Sequence, residues 1–429
     1  MKKIISFLMA VGMLCALCVP AMAEGEGSSA ENPIEVTNGN WEELTASGLA
    51  ENTYYKLVED IGSEDAPTDK IFPKGVPSGA HFDGDGYTVW TSVGTVFGEN
   101  YGEIRNVTVA GSIENNCAAF CNSNYGTVTR CINRADIRYD GDASGFCDKN
   151  CGTVSCCENY GDITGSSAAG ICTNNGENNN NGIIINCINH GNIEATENRA
   201  GGICLNNYRT VLNCVNTASV TGKTSGFGIC GGTSSNPSIA LCFNCGLPSA
   251  KQFTISPGTP KDCWYMKNVN GTACRQITGT NITAVADNFN IEGLLADMNK
   301  KAAEYKANPD YSGLDFCEWI EGENGLPTLE LCADGTHAWV NGICTRCGNV
   351  NNDRHEHIFA DGVCACNIYE CQITGKHDFT NGDCICGEPA PTSSTLSEGN
   401  VWIIAAVAAA AVLAVAAVVI TKKKKTSNS

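Results

Sequence analysis

Gly126–Ile137 reads GTVTRCINRADI, Gly152–Ile163 reads GTVSCCENYGDI, Gly182–Ile193 reads GIIINCINHGNI, and Arg209–Val220 repeats the phrase as RTVLNCVNTASV. A cysteine holds the same place in each (Cys131, Cys157, Cys187, Cys214), and Cys242 extends the series. Each begins a Cys-x-Asn that ends at Asn133, Asn159, Asn189, Asn216 or Asn244. Three residues before the cysteine stands Val128, Val154, Ile184, Val211 or Ile239, and six after the first four stands Ile137, Ile163, Ile193 or Val220. Successive cysteines are 26, 30, 27 and 28 residues apart. Self-similarity at a period of about 20–50 residues marks a solenoid or array.

A second series runs beside the first: Cys121, Cys147, Cys172, Cys204 and Cys230, preceded by Phe120, Phe146, Ile171, Ile203 and Ile229. Each coil then holds three short apolar segments separated by Gly, Asn and Asp, which predicts a parallel β-helix over 100–250. Asparagines at the corners tolerate left-handed backbone angles and can hydrogen-bond between coils. The tract 174–181, NNGENNNN, enlarges one coil as a surface loop.

The cysteines invite a disulfide reading, but stacking geometry opposes it for the ladders. Coils stack about 4.8 Å apart with parallel side chains, whereas a disulfide wants converging Cβ atoms about 3.5–4.5 Å apart. Inward thiols behave as small apolar residues, so core filling is expected for most. Cys117, Cys151, Cys156, Cys245, Cys263 and Cys274 lie off the ladders and are better placed for bridges.

The flanks differ from the repeats. Residues 24–99, with alternation in Tyr54–Leu57 and Phe82–Val89 and Asp-Gly turns, read as an N-terminal β cap for the first coil. Residues 251–331 read as a small α/β C-terminal cap: Ile291, Leu294, Leu295, Met298 and Tyr305 fall on one helical face near 288–307, with Asn288 or Asn290 as N-cap. The expected class is all-β, a parallel β-helix solenoid with that cap, followed by a Cys/His-rich array and one C-terminal transmembrane helix.

Both ends carry addresses. Residues 1–23 have Lys2 and Lys3, an apolar run and Ala21-Met22-Ala23, which predicts a cleaved secretory signal peptide. Residues 401–420 form an uncharged apolar run, long enough at about 1.5 Å per residue for the roughly 30 Å of a bilayer core. Lys422–Lys425 follow, so the positive-inside rule places 421–429 in the cytoplasm and the rest outside a cell membrane crossed once. Residues 388–400, EPAPTSSTLSEGN, read as a linker. The chain carries 27 Lys+Arg against 46 Asp+Glu. So acidic a surface excludes nucleic acid as a partner and favours neutral glycans, cations or basic proteins.

Residues 332–387 hold another array. His337, His357 and His377 are 20 residues apart, as are Trp339, Phe359 and Phe379, Gly342, Gly362 and Gly382, and Cys344, Cys364 and Cys384. Zinc takes thiolate and imidazole together in four-ligand structural sites. Unit one offers Cys332, His337, Cys344 and Cys347; unit two His355, His357, Cys364 and Cys366; unit three Cys371, His377, Cys384 and Cys386. Disulfides among the cysteines are the alternative, although disulfides alone give no reason to keep a His seven residues from a Cys.

Catalytic motifs are scarce. Asp83 and Asp85 sit in a turn-like Asp-Gly-Asp-Gly, Asp136, Asp140, Asp142 and Asp162 scatter over corners, and His190 reads as a lone exposed His at a turn. Nucleophile-elbow, Walker and dinucleotide fingerprints are lacking.

The phrases AGSIENNCAAFCNSNYGTVTRCINRADI, NCGTVSCCENYGDITGSSAAGIC and NCINHGNIEATENRAGGIC resemble the GLUG-type and related β-helix repeats of bacterial surface proteins, over roughly residues 30–331. The stretches FDGDGYTV and CEWIEGENGLPTLEL are similar to the flanks of those repeats, and the Cys/His array is zinc-ribbon-like. The resemblance implies a right-handed parallel β-helix displayed on a Gram-positive-type cell, with adhesin-like roles. The chain departs from that pattern where Cys fills positions often aliphatic, and no sortase motif precedes the apolar run. The expected function is adhesion or glycan/protein binding, with structural zinc near the membrane. A polysaccharide lyase or glycoside hydrolase on the β-helix face is the first alternative, a passive stalk the second.

Overall fold

The computed structural model describes residues 26–176, 181–233 and 238–246, most of 252–332, and short strand pairs within 339–344 and 359–364. Two compact units divide the chain, residues 1–353 and 354–429. Of the second, only the antiparallel pair Phe359–Ala360 with Val363–Cys364 is described.

Within the first unit the repeat becomes a parallel β-solenoid of about 7 turns. Thr127–Thr129 pairs in parallel with Glu103–Arg105 before it and Thr153–Ser155 after it. The same register continues through Ile183–Ile185, Thr210–Leu212 and Ser238–Ala240. Val128, Val154, Ile184, Val211 and Ile239, the positions three before the cysteine, form one buried column. Each coil continues past a corner in the same sheet, as at Ile132–Asn133, then enters a second sheet at Asp136–Ser144 and a third at Cys147–Asn150. Three parallel sheets of 18, 8 and 6 strands enclose one core.

Both cysteine ladders lie in that core. Cys121, Cys147, Cys172, Cys204 and Cys230 are register partners from coil to coil. The other ladder has a local cause. The residue before each thiol is left-handed: Arg130, Cys156, Asn186, Asn213 and Leu241 have φ of 56°, 52°, 56°, 50° and 56°. Past that corner each thiol donates to the carbonyl two residues before it. Cys131 reaches Thr129 O at 3.3 Å, Cys157 Ser155 O at 3.2 Å, Cys187 Ile185 O at 3.3 Å, Cys214 Leu212 O at 3.1 Å and Cys242 Ala240 O at 3.3 Å. Each of these carbonyls also accepts a backbone N–H from the preceding coil, as Ser155 O does from Arg130 N at 3.0 Å, so the thiol is a second donor to it.

The Cys-x-Asn asparagines are not the left-handed corners. They stand in strands, buried, and chain together: Asn133 Nδ2 donates to Asn159 Oδ1 at 2.7 Å, and Asn159, Asn189 and Asn216 each donate to the next at 2.8 Å. A second chain runs Asn100, Asn124, Asn150, Asn175, Asn207 at 2.8–2.9 Å. These ladders satisfy amide donors and acceptors from coil to coil within the low-dielectric interior, up to Asn244, whose buried Nδ2 has no partner.

Parallel register also runs through the N-terminal region, from Ile34–Val36 to Tyr54–Leu57, His81–Asp83 and Glu103–Arg105. A helix, Asn38–Ser47, interrupts it and sets Trp41 edge-on to Phe72 and Phe82, with ring centroids 4.9 and 6.5 Å apart.

The C-terminal region packs along the side of the solenoid. The helix Ile291–Lys306, with Asn290 as N-cap, buries Met298 and Ala302. With Phe316, Trp319, Leu329 and Leu331 it covers the outer face of the large sheet at Ile185, Leu212, Ala240 and Phe243. Trp319–Glu321 and Pro327–Leu329 form an antiparallel pair. The outer column explains the position: it reads Lys56, Asp83, Arg105, Thr129 and Ser155, then turns apolar at Ile185, Leu212 and Ala240, and apolar surface needs a cover.

No helix among the described residues is long and apolar enough to cross a membrane. The signal peptide expected over 1–23, the linker expected over 388–400 and the 401–420 run lie outside the described residues.

Candidate functional site

Asparagine ladders fix the corners, and the residue after each ladder asparagine faces outward. Past Asn100 and Asn124 come Tyr101 and Tyr125, then Cys151 in the next coil. The two tyrosine rings stack with centroids 4.9 Å apart and planes 7° apart. They are 48% and 44% exposed, the large apolar side chains most open to solvent among the described residues. Gly102 and Gly126 follow them; a Cβ at Gly126 would run into the Gly102 carbonyl oxygen, so the coils close tightly behind the rings. Glu99 Oε2 accepts from the Tyr101 hydroxyl at 2.8 Å, and this hydrogen bond raises the phenol above its ordinary value. The stack ends at Tyr125, because the next coil offers only the smaller Cys151.

The other asparagine ladder carries Arg134, Tyr160, His190 and Thr217 on its outer side. The Arg134 guanidinium lies 4.6 Å from the Tyr160 ring centroid, and Tyr160 stacks on His190 at 4.4 Å. His190 Nδ1 is 3.1 Å from Thr217 Oγ1, while Tyr160 donates its hydroxyl to Glu158 Oε2 at 2.9 Å. Glu158, almost fully buried, also faces His190 Nε2 at 3.6 Å. The lone exposed histidine expected at 190 is therefore half-buried and stacked; coil stacking puts an aromatic ring beneath it, which spacing in one coil does not reveal.

A third feature is a cleft of about 490 Å³ where the polar outer face meets the C-terminal cover, lined by Thr129, Arg130, Ser155, Cys156, Asp315 and Cys317 among others. Asn186 and Asn213 hold one wall of it. Asn186 Nδ2 donates to Asp315 O at 2.8 Å and its Oδ1 accepts from Cys317 N at 3.1 Å, and Asn213 Nδ2 donates to Cys317 O at 3.0 Å. Cys317 belongs to neither repeat. Its only sequence clue is the doublet Cys156-Cys157, where the next two coils have Asn-Cys.

The acidic corner residues are structural. Asp83 accepts from Arg105 at 2.9 Å, from Asn106 Nδ2 at 2.9 Å and from Asp85 N at 2.9 Å. Asp136 Oδ1 accepts from Asp162 N at 2.9 Å, and Asp162 Oδ1 from Asn192 N at 2.8 Å, so these carboxylates cap successive coils.

Of the zinc-ligand set, Cys332 is described, half-buried, with its N–H on Glu330 Oε1 at 2.8 Å. Cys344 and Cys364 are placed by backbone only, each across a short antiparallel pair from the aromatic residue of its unit, Trp339 or Phe359. His337, Cys347, His355, His357, Cys366, Cys371, His377, Cys384 and Cys386 lie outside the described residues. Among the described residues there is no group of three or more His, Cys, Asp or Glu able to hold a metal ion.

No protein-family model matches the chain, and no curated protein matches it. A solved structure titled as a "putative immunoglobulin A1 protease" from Bacteroides ovatus is similar at 17% identity, over 71% of this chain and 94% of that one, with a TM-score of 0.41. At that identity and score the likeness carries no argument about function, and the chain's assignment rests on its own geometry: a parallel β-solenoid with two aromatic corners and a covered flank.

Proposed function

We propose that this chain is a cell-surface solenoid that binds glycans along its aromatic corner, as adhesins do. The observation that carries the reading is the stacked, half-exposed pair Tyr101–Tyr125. Exposed aromatic rings held rigidly at low entropic cost are what the apolar faces of sugar rings pack on, and the neighbouring Glu99 carboxylate is suited to hydroxyls. The acidic composition agrees with a neutral glycan and disfavours an anionic one. In this reading the GLUG-type resemblance describes the repeat, 401–420 is the membrane anchor with the solenoid outside the cell, and the units of 332–387 are structural zinc modules.

The test is a glycan array probed with the purified chain, followed by Tyr101→Ala and Tyr125→Ala. Retained glycans that both variants release support the reading; binding indifferent to both substitutions, or none at all, refutes it.

A second reading, hydrolysis or elimination on a polysaccharide, is favoured by the buried Glu158 carboxylate beside Tyr160 and His190. Turnover of a polysaccharide that Glu158→Gln abolishes would support it.

A further inference from the structure

Cys156 occupies a corner where the next two coils place Asn186 and Asn213. Those two amides grip the backbone of the covering segment at Asp315 and Cys317. One coil earlier, the same corner presents a thiol instead of an amide, and its Sγ lies 3.8 Å from Cys317 Sγ. The two residues are 161 positions apart in sequence, so the contact exists only because the covering segment is docked. Both thiols border the 490 Å³ cleft, with Arg130 on its wall. Ladder thiols also come close, Cys147 Sγ and Cys172 Sγ lying 3.1 Å apart, but they are enclosed in the core; this pair adds access from the cleft and a neighbouring cation.

We propose that Cys156 and Cys317 form a thiol–disulfide exchange site that takes small-molecule disulfides and locks the covering segment onto the solenoid. The Cys156 thiolate attacks one sulfur of the incoming disulfide and forms a mixed disulfide with it; the S–S bond breaks, and the other sulfur leaves as a thiolate and takes up a proton. Cys317 then gives up its proton and attacks the Cys156 sulfur, forming the Cys156–Cys317 bond and releasing the second half as a thiol. Two electrons pass to the incoming disulfide, which is reduced to two thiols, while the protein pair is oxidised. The roles are asymmetric. The Cys317 hydrogen bond, and then the Arg130 guanidinium, hold the Cys156 thiol below its ordinary value despite burial, whereas Cys317 is raised by Cys156 and by burial.

The experiment treats the full chain with cystine, blocks remaining thiols with a maleimide, and maps peptides without reduction. Expected is a Cys156–Cys317 linked pair formed before any ladder cysteine reacts, and greater resistance of residues 313–331 to limited proteolysis. In Cys317→Ser, Cys156 should be trapped as a mixed disulfide with half-cystine; in Cys156→Ser, Cys317 should stay largely unmodified. Cys156 linked elsewhere, an unmodified Cys156 in Cys317→Ser, or ladder cysteines oxidised first would each overturn the proposal. Both serine variants retain a thiol-sized group, and native-like circular dichroism verifies their folding, so a missing adduct in a folded variant counts against it.

Discussion

Asn159 Nδ2 donates to Asn189 Oδ1 at 2.8 Å across 30 residues of chain, and also to Gly161 O at 2.9 Å two residues ahead in its own coil. One buried amide thereby fixes both the stacking of two coils and the shape of one corner. Asn159→Ala leaves the Asn133 amide and the Gly161 carbonyl with unmet hydrogen bonds. A loss of about 2–4 kcal/mol is expected, read by urea unfolding; a change below about 0.5 kcal/mol would remove the ladder from the account of stability.

The Asn213 side chain should hold the covering segment. Asn213→Ala removes the bonds to Cys317 O and Asn186 Oδ1. The expected cost is about 1–3 kcal/mol, with earlier protease cleavage in 313–331 than in the solenoid strands. Cleavage unchanged in both places would mean that apolar burial alone docks the segment.

The repeat made the coils of 100–250 and their inner columns legible, because period and side-chain alternation together specify which residues stack: Cys147 on Cys172, Val154 on Ile184. It did not reveal that the same register begins at Ile34, in the region read as a cap. Nor did it reveal where the C-terminal region lies. That depends on Ile185 and Leu212 replacing Ser155 in one outer column, a difference visible only once coils are in register. The helix Asn38–Ser47 was hidden for a related reason: only Trp41 and Thr45 are buried on it, too few for a helical stripe. Tyr101 and Tyr125 lacked any signal within their own coils, since their importance lies in stacking on one another.

Buried thiols should make the fold sensitive to alkali. Burial raises Cys172 to about 11 and Cys245 to about 12, while an unfolded thiol titrates near about 8.5. The folded state therefore keeps protons that the unfolded state loses, and stability falls as pH rises. It should be fully present below about pH 8.5 and decline through the folded values of about 11 and about 12. Urea midpoints in reductant at neutral and alkaline pH measure this; a midpoint flat up to pH ~10.5 would contradict it.

Zinc binding at 332–387 has its own readout. The purified chain should carry zinc by elemental analysis, and His337→Ala with Cys347→Ala should lower the content by about one ion, since structural sites take four ligands. Metal-free protein with all cysteines of the array in disulfides would favour the alternative pairing.

The glycan-binding claim is tested most directly by titrating the full chain with a glycan retained from the array, beside the double variant Tyr101→Ala/Tyr125→Ala. Expected is saturable binding that weakens at least about tenfold in the variant, equivalent to about 1.4 kcal/mol, while its unfolding midpoint shifts little because both rings are half-exposed. Equal affinity in the two proteins, with the fold intact, would contradict it.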